Sequence, residues 1–248
     1  MIELVGVAKH YGPHIAVRQL DLTVGRGELF GFIGPNGAGK TTTIKMIGGI
    51  LAPTRGRVKI AGIDMAAHPV AAKHKIGFIP DRPFLYEKLT AMEFMQFTAD
   101  VYRVAPDRVD TRAIDLLERF ALADWSDELI ESFSHGMKQR LIMCAALLHE
   151  PEVIVVDEPM VGLDPVAIRM VKKMFRELAT RGVTLFMSTH TLAVAEDICD
   201  RIGIIHRGEL IAQGTLDDLR QQVQGGAPDL EAVFINLTKV PDALEGRR

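Results

Sequence analysis

Apolar residues recur along this chain in two rhythms. The first is a short run without polar alternation: Glu28-Leu29-Phe30-Gly31-Phe32-Ile33, Val153-Ile154-Val155-Val156, Thr184-Leu185-Phe186-Met187 and Ile202-Gly203-Ile204-Ile205. Runs of this length predict strands buried on both faces, as in a parallel sheet. The second rhythm spaces apolar residues three and four apart, and it predicts helices over residues 91–102, over 109–122, and from the segment near Phe133 onward. In the second helix Ile114, Leu117, Phe120 and Ala121 mark the expected buried face, and in the first Met92, Phe94, Met95 and Phe97 read as helix core. Pro165 is expected to start a further helix between two of the strands. Strands alternating with helices imply an α/β fold with crossover connections.

The layout is nested. From Ile2 to about Ile60, short β-type runs punctuated by Gly12-Pro13, Gly25 to Gly27 and Arg55-Gly56-Arg57 predict an antiparallel section beside the core. Residues 1–80 and 150–214 are therefore expected to form the core with its β section, 81–149 a helical insertion, and 215–248 a C-terminal helical extension. Within that extension two helices, over 216–223 and 229–240, are expected around a turn at 224–228, with fraying from Pro241. Internal repeats and low-complexity tracts are absent.

The first buried run leads into Gly34-Pro35-Asn36-Gly37-Ala38-Gly39-Lys40-Thr41, followed by Thr42 and a helical pattern. This fills every fixed position of G-x-x-x-x-G-K-[ST], in the strand, loop and helix context that such a phosphate loop needs. Glycines let successive amides turn toward phosphates, the helix start adds its positive dipole end, Lys40 reaches the terminal phosphates, and Thr41 offers a hydroxyl to Mg²⁺. A nucleoside triphosphate is the expected ligand. The second run ends in Asp157-Glu158-Pro159. Carboxylates at the C-terminal end of a buried strand suit Asp157 to hold Mg²⁺ through water and Glu158 to orient or deprotonate an attacking water.

With these marks the chain resembles the ATP-binding cassette (ABC) ATPases over almost its whole length. Further family marks follow in order. Tyr11, before Gly12, matches the aromatic residue that stacks on adenine, and Phe133-Ser134-His135-Gly136-Met137-Lys138-Gln139-Arg140 matches the signature motif. Gly162-Leu163-Asp164-Pro165 matches the D-loop, and Ser188-Thr189-His190 the switch histidine. Two departures stand out: Asp81 replaces the usual glutamine after Ile76-Gly77-Phe78-Ile79-Pro80, and His135 and Met137 replace the usual glycine and glutamine of the signature. The segments around Asp81 and the signature are similar to bacterial ABC exporter ATPases of the Ecs type.

The resemblance implies ATP and Mg²⁺ as cofactors, with two cassettes dimerising head to tail. Each phosphate loop would then face the Ser134 and Gly136 signature of its partner, as a homodimer or beside a different cassette. It implies that Thr41, Asp81 and Asp157 serve the metal, that Glu158 activates water, and that His190 contacts the γ-phosphate and bridges toward the partner's D-loop. It also implies an integral membrane subunit that selects the cargo, docked near Phe84, Leu85 and Tyr86. A soluble regulatory ATPase using nucleotide-driven dimerisation is the alternative. A P-loop kinase explains neither the signature nor Asp157-Glu158-Pro159.

Composition narrows the picture further. With 248 residues, 48% of them hydrophobic and 25% charged, the chain can bury a large core. A net charge of −3 points to neither nucleic acid nor an anionic membrane surface. The longest apolar run found, Leu141 to Leu148, falls far short of the roughly 20 residues needed to span a bilayer. No secretory signal is visible after Met1, so residence in the cytoplasm at the inner face of the membrane is expected. Cys144 and Cys199 are read as small buried hydrophobes, and the histidines other than His190 as surface residues without metal-ligand spacing.

Overall fold

A computed structural model of the chain describes residues 1–223 and 229–238. The expected turn at 224–228, the last two residues of the second C-terminal helix and the expected frayed end lie outside the described residues.

One ten-stranded sheet organises the described residues. Its parallel part contains β3 (Leu29–Ile33), β6 (Ile76–Ile79), β7 (Val153–Asp157), β8 (Thr184–Thr189) and β9 (Arg201–His206), in the spatial order β9-β3-β8-β7-β6. Every residue of β3, β7 and β8 is buried, which is why their sequences show no alternation. The antiparallel part is built from β1 (Ile2–Tyr11), β2 (His14–Val24), β4 (Arg55–Ile60) and β5 (Ile63–Asp64). It joins the rest through β10 (Glu209–Gly214), which pairs with both β2 and β9. The end of β2 shows the half-buried rhythm, with Leu20, Leu22 and Val24 inward and Asp21 and Thr23 outward. The antiparallel section is not contiguous in sequence, since β3 and α1 (Lys40–Ile47) are interposed and belong to the parallel part.

Helices α2 (Pro69–Lys73), α3 (Ala91–Tyr102), α4 (Pro106–Arg119) and α5 (His135–Leu147) precede β7. Then come α6 (Pro165–Thr180), α7 (Leu192–Ile198), α8 (Leu216–Gln221) and α9 (Leu230–Thr238). A reciprocal capping box fixes the start of α3: Thr90 Oγ1 accepts from the Glu93 amide at 3.1 Å and the Glu93 carboxylate accepts from the Thr90 amide at 2.8 Å.

Helix α4 departs from expectation. It begins at Pro106, whose fixed φ and missing N–H suit the first helical position, and it ends at Arg119, before Ala121 at φ 53°. Its buried face is Val109, Ala113, Leu116 and Leu117; Phe120 is buried as expected, whereas Ile114 is 47% exposed and Ala121 is exposed. One position along a helix rotates a side chain by about 100°, so Ala113 takes the inward place assigned to Ile114. In α3, Phe94 and Met95 enter the core, but Phe97 is 43% exposed and meets Tyr86 edge to face, with ring centroids 5.2 Å apart. Cys144 and Cys199 are free thiols, and burial pushes both of them up.

His149 is not a surface residue. Its ring stacks on Tyr102 at 3.7 Å between centroids, Nε2 lies 3.0 Å from the Ile76 carbonyl, and Nδ1 is buried without a partner. Burial is the main cause that lowers its pKa from 6.5 to about 4, and the charges of His74 and Arg112 push the same way.

Candidate functional site

The phosphate loop leaves the C-terminal end of β3 and enters α1. Gly39 caps that helix at φ 111°, a left-handed geometry that favours glycine. Space also demands glycine: a Cβ on Gly34 would lie 2.3 Å from the Ile205 carbonyl oxygen, and one on Gly39 would lie 2.6 Å from that of Ala16. Lys40 is buried, and its ammonium donates to the carbonyls of Gly34 at 2.7 Å and Pro35 at 3.2 Å. Burial lowers its pKa, while the charges of Glu158 and Asp157 oppose that shift.

A cavity of about 250 Å³ opens over this loop. Its lining comes from Asn36, Gly37, Gly39, Lys40, Thr41 and Thr42 of the loop and helix start and from Tyr11, His14 and Ala16 of the hairpin of β1 and β2. His14 and Ala16 had no signal in the sequence. They enter because His14 is the cross-strand partner of Tyr11 across the short turn between β1 and β2, and Ala16 follows two positions on along β2. Ser134, Gly136 and Asp164 do not line this cavity.

Beside β3 run β8 and then β7, so their C-terminal ends share one edge of the sheet. Asp157 pairs in register with Ser188 on β8. Burial raises the Asp157 carboxyl; the Ser188 and Thr41 hydroxyls lower it, and Glu158 and Asp81 add to the rise. Ser188 Oγ closes no hydrogen bond of good geometry, so it acts on Asp157 as a nearby dipole.

Glu158 has φ 49°, unusual for a side-chain-bearing residue and costing about 1–2 kcal/mol. Its amide donates to the Ser188 carbonyl at 2.9 Å, which holds that turn against β8. The Glu158 carboxylate accepts from Thr189 Oγ1 at 3.1 Å and lies 2.7 Å from His190 Nδ1. With the carboxylate ionised, Nδ1 carries the proton and Nε2 is left as the second ring nitrogen. The Glu158 side chain is only 14% exposed, whereas that of His190 is 60% exposed. Such an arrangement can hold a carboxylate oriented beside a phosphate loop. Thr189, read only as part of a motif, proves to be one of its supports.

The described residues hold no cage of three or more His, Cys, Asp or Glu side chains for a metal. Thr41, Asp157 and Asp81 offer hard oxygen donors beside the loop, which fits Mg²⁺, an ion that takes one or two carboxylates and fills its shell with water and phosphate oxygens. Burial chiefly raises the Asp157 carboxyl, with smaller contributions from the charges of Glu158 and Asp81, and a cation beside it would favour its ionised form.

The signature lies at the start of α5, where Ser134 Oγ accepts from the Met137 amide at 3.2 Å. It packs against the chain's own D-loop: a Cβ on Gly162 would fall 2.2 Å from a carbon of the His135 ring, and one on Gly136 would fall 3.2 Å from the Gly162 carbonyl oxygen. Asp164 caps α6 by accepting from the Val166 and Ala167 amides at 2.8 and 2.9 Å, and chiefly the Ala167 bond lowers its pKa.

Comparison with known proteins places these features in context. The family profile described as ABC transporter matches residues 17–161. The linearmycin resistance ATP-binding protein LnrL of Bacillus subtilis is 38% identical over 91% of this chain and 72% of its own length. The transporter ATP-binding protein EcsA of the same organism is 36% identical over 92% of this chain and 93% of its own. A solved ATP-binding subunit of an ABC transporter superposes with a TM-score of 0.91 at 36% identity, over 96% of this chain and 99% of that one. A dimeric cassette in a post-hydrolysis state with ADP and Pi superposes at 0.77 and 27% identity, covering 87% and 99%.

Proposed function

The chain belongs to the ABC transporter family of ATP-binding subunits, and from that premise we propose how its residues divide the work of an ATP-driven exporter. The amides of residues 34 to 42 and the Lys40 ammonium take the triphosphate, and Tyr11 takes the adenine on its ring. Thr41, Asp157 and Asp81 would hold Mg²⁺, which when bound would offset the charge of the phosphates. Glu158 orients a water for attack on the γ-phosphorus and accepts its proton as the bond from that phosphorus to the β–γ bridging oxygen breaks and ADP leaves. Thr189 and His190 hold that carboxylate in place, and His190 contacts the γ-phosphate.

Ser134, Gly136 and Asp164 serve a second cassette, which is consistent with their position outside this chain's own nucleotide cavity. Dimeric cassettes among the solved relatives support that reading. Residues 81–149 form the helical unit that carries the signature, 1–80 and 150–214 the nucleotide core, and 215–248 an extension. No helix among the described residues is long and apolar enough to cross a membrane. Membership of the transporter family supports attachment through a separate membrane subunit at the cytoplasmic face. Phe84 and Tyr86, 85% and 61% exposed, offer it an apolar contact. Relatives named for linearmycin and daunorubicin resistance and for bacitracin transport support export.

The observation that carries the reading is the Glu158 carboxylate, bonded by Thr189 and His190 at the strand edge that also bears the phosphate loop. Glu158→Gln keeps the shape and loses the base, so ATP binding should persist while turnover falls by about 10²- to 10⁴-fold. Wild-type hydrolysis by the purified variant would remove Glu158 from this role.

A further inference from the structure

Tyr11 stands at the tip of the hairpin of β1 and β2, 47% exposed, and lines the cavity that opens over the phosphate loop. A ring at a hairpin tip has little lateral packing to fix it. Here one support is specific: Lys9 Nζ sits 5.3 Å from the Tyr11 ring centroid, within cation–π range. The same ammonium donates to the Ala52 carbonyl at 2.7 Å, so it is anchored to the segment that follows α1. Lys9 does not line the cavity that Tyr11 lines. The ammonium covers one face of the ring, which leaves the opposite face for a base.

We propose that Lys9 is a positioning residue for the nucleotide base: it holds the Tyr11 ring, through a cation–π contact anchored at Ala52, in the orientation a purine stacks on. The inference rests on the reading of Tyr11 as the adenine platform. Its physical content is preorganisation, since a ring already ordered in the free protein loses less entropy when the base arrives. The contribution belongs to the base alone. The triphosphate is held elsewhere, by the loop amides and Lys40, and gains nothing from Lys9.

Calorimetric titration of the intact protein with two probes, ATP and inorganic tripolyphosphate, both with Mg²⁺, separates these contributions. Lys9→Ala should weaken ATP binding by about three- to tenfold and leave tripolyphosphate within about twofold, the range expected of a partly exposed cation–π contact. Lys9→Gln, which retains a donor for the Ala52 carbonyl but no charge, should show the same selective loss. Lys9→Arg should restore ATP affinity. Tyr11→Ala should also lose ATP selectively.

Equal weakening of both ligands in Lys9→Ala and Lys9→Gln would mean that the loop has merely been displaced, and would overturn the proposal. Unchanged ATP affinity in both variants, with Tyr11→Ala still selective, would overturn it while leaving the platform intact. Failure of Tyr11→Ala to separate the two probes would remove the platform itself, and the proposal with it.

Discussion

Asp81 adds a third carboxylate to the surroundings of Asp157 and Glu158, and its charge contributes to the raised Asp157 carboxyl behind the larger effects of burial and Glu158. Removing that charge while keeping an oxygen donor should ease metal entry. Asp81→Gln is therefore expected to lower the free Mg²⁺ giving half-maximal ATPase activity without abolishing hydrolysis, which a rate titration at fixed ATP would read. A higher Mg²⁺ requirement would instead identify Asp81 as a direct ligand. His149 supports a prediction of stability. Its folded pKa of about 4 lies below the ordinary 6.5, so the folded state binds fewer protons than the unfolded chain between those values. The stability its neutral ring contributes is complete above pH 6.5 and is lost as the pH falls toward 4, by about 2 kcal/mol once discounted for partial solvent access. His149→Phe keeps a ring against Tyr102 and removes the titration. Urea midpoints at pH 7.5 and pH 5 should therefore differ less in that variant than in the wild type.

Between elements, the start of α5 bears on the loop ahead of α6 through the His135 ring and Gly162. Gly162 has φ 77°, and a Cβ there would overlap the ring at 2.2 Å. Gly162→Ala thus combines a backbone penalty of about 1 kcal/mol with a collision. Its ATPase activity should fall, and adding His135→Gly should recover the steric share while leaving the backbone share. A double-mutant cycle on ATPase rate would measure that coupling, and strict additivity would show that the two segments act independently. The same scale explains which helices were legible. Apolar spacing alone set α3 over residues 91–102, and the helix spans Ala91–Tyr102, its start fixed by the Thr90 and Glu93 capping box. In α4 the apolar spacing admits two faces one residue apart, and packing in the core shared with α3 and α5 chose Ala113 over Ile114.

For the molecule as a whole, the proposed contact of Phe84 and Tyr86 with a membrane subunit can be tested at Tyr86. The Tyr86 ring stands edge to face with Phe97 and is 61% exposed, so it is not needed to fill this chain's own core. Tyr86→Ala should impair transport by the reconstituted complex while the isolated cassette still binds ATP; intact coupling would exclude that contact. The sequence by itself determined the α/β class, the buried strands, the phosphate loop and the carboxylates at the end of β7. Each depends on neighbours within a few positions, where spacing and turn chemistry act directly. Only the tertiary structure decided that β8 lies between β3 and β7, for fully buried apolar runs carry no mark of which run they will pair with. That order brings Thr189 and His190 onto Glu158 across 31 and 32 residues. Sheet order is fixed by the packing of the whole core, which is why no local stretch of sequence could state it.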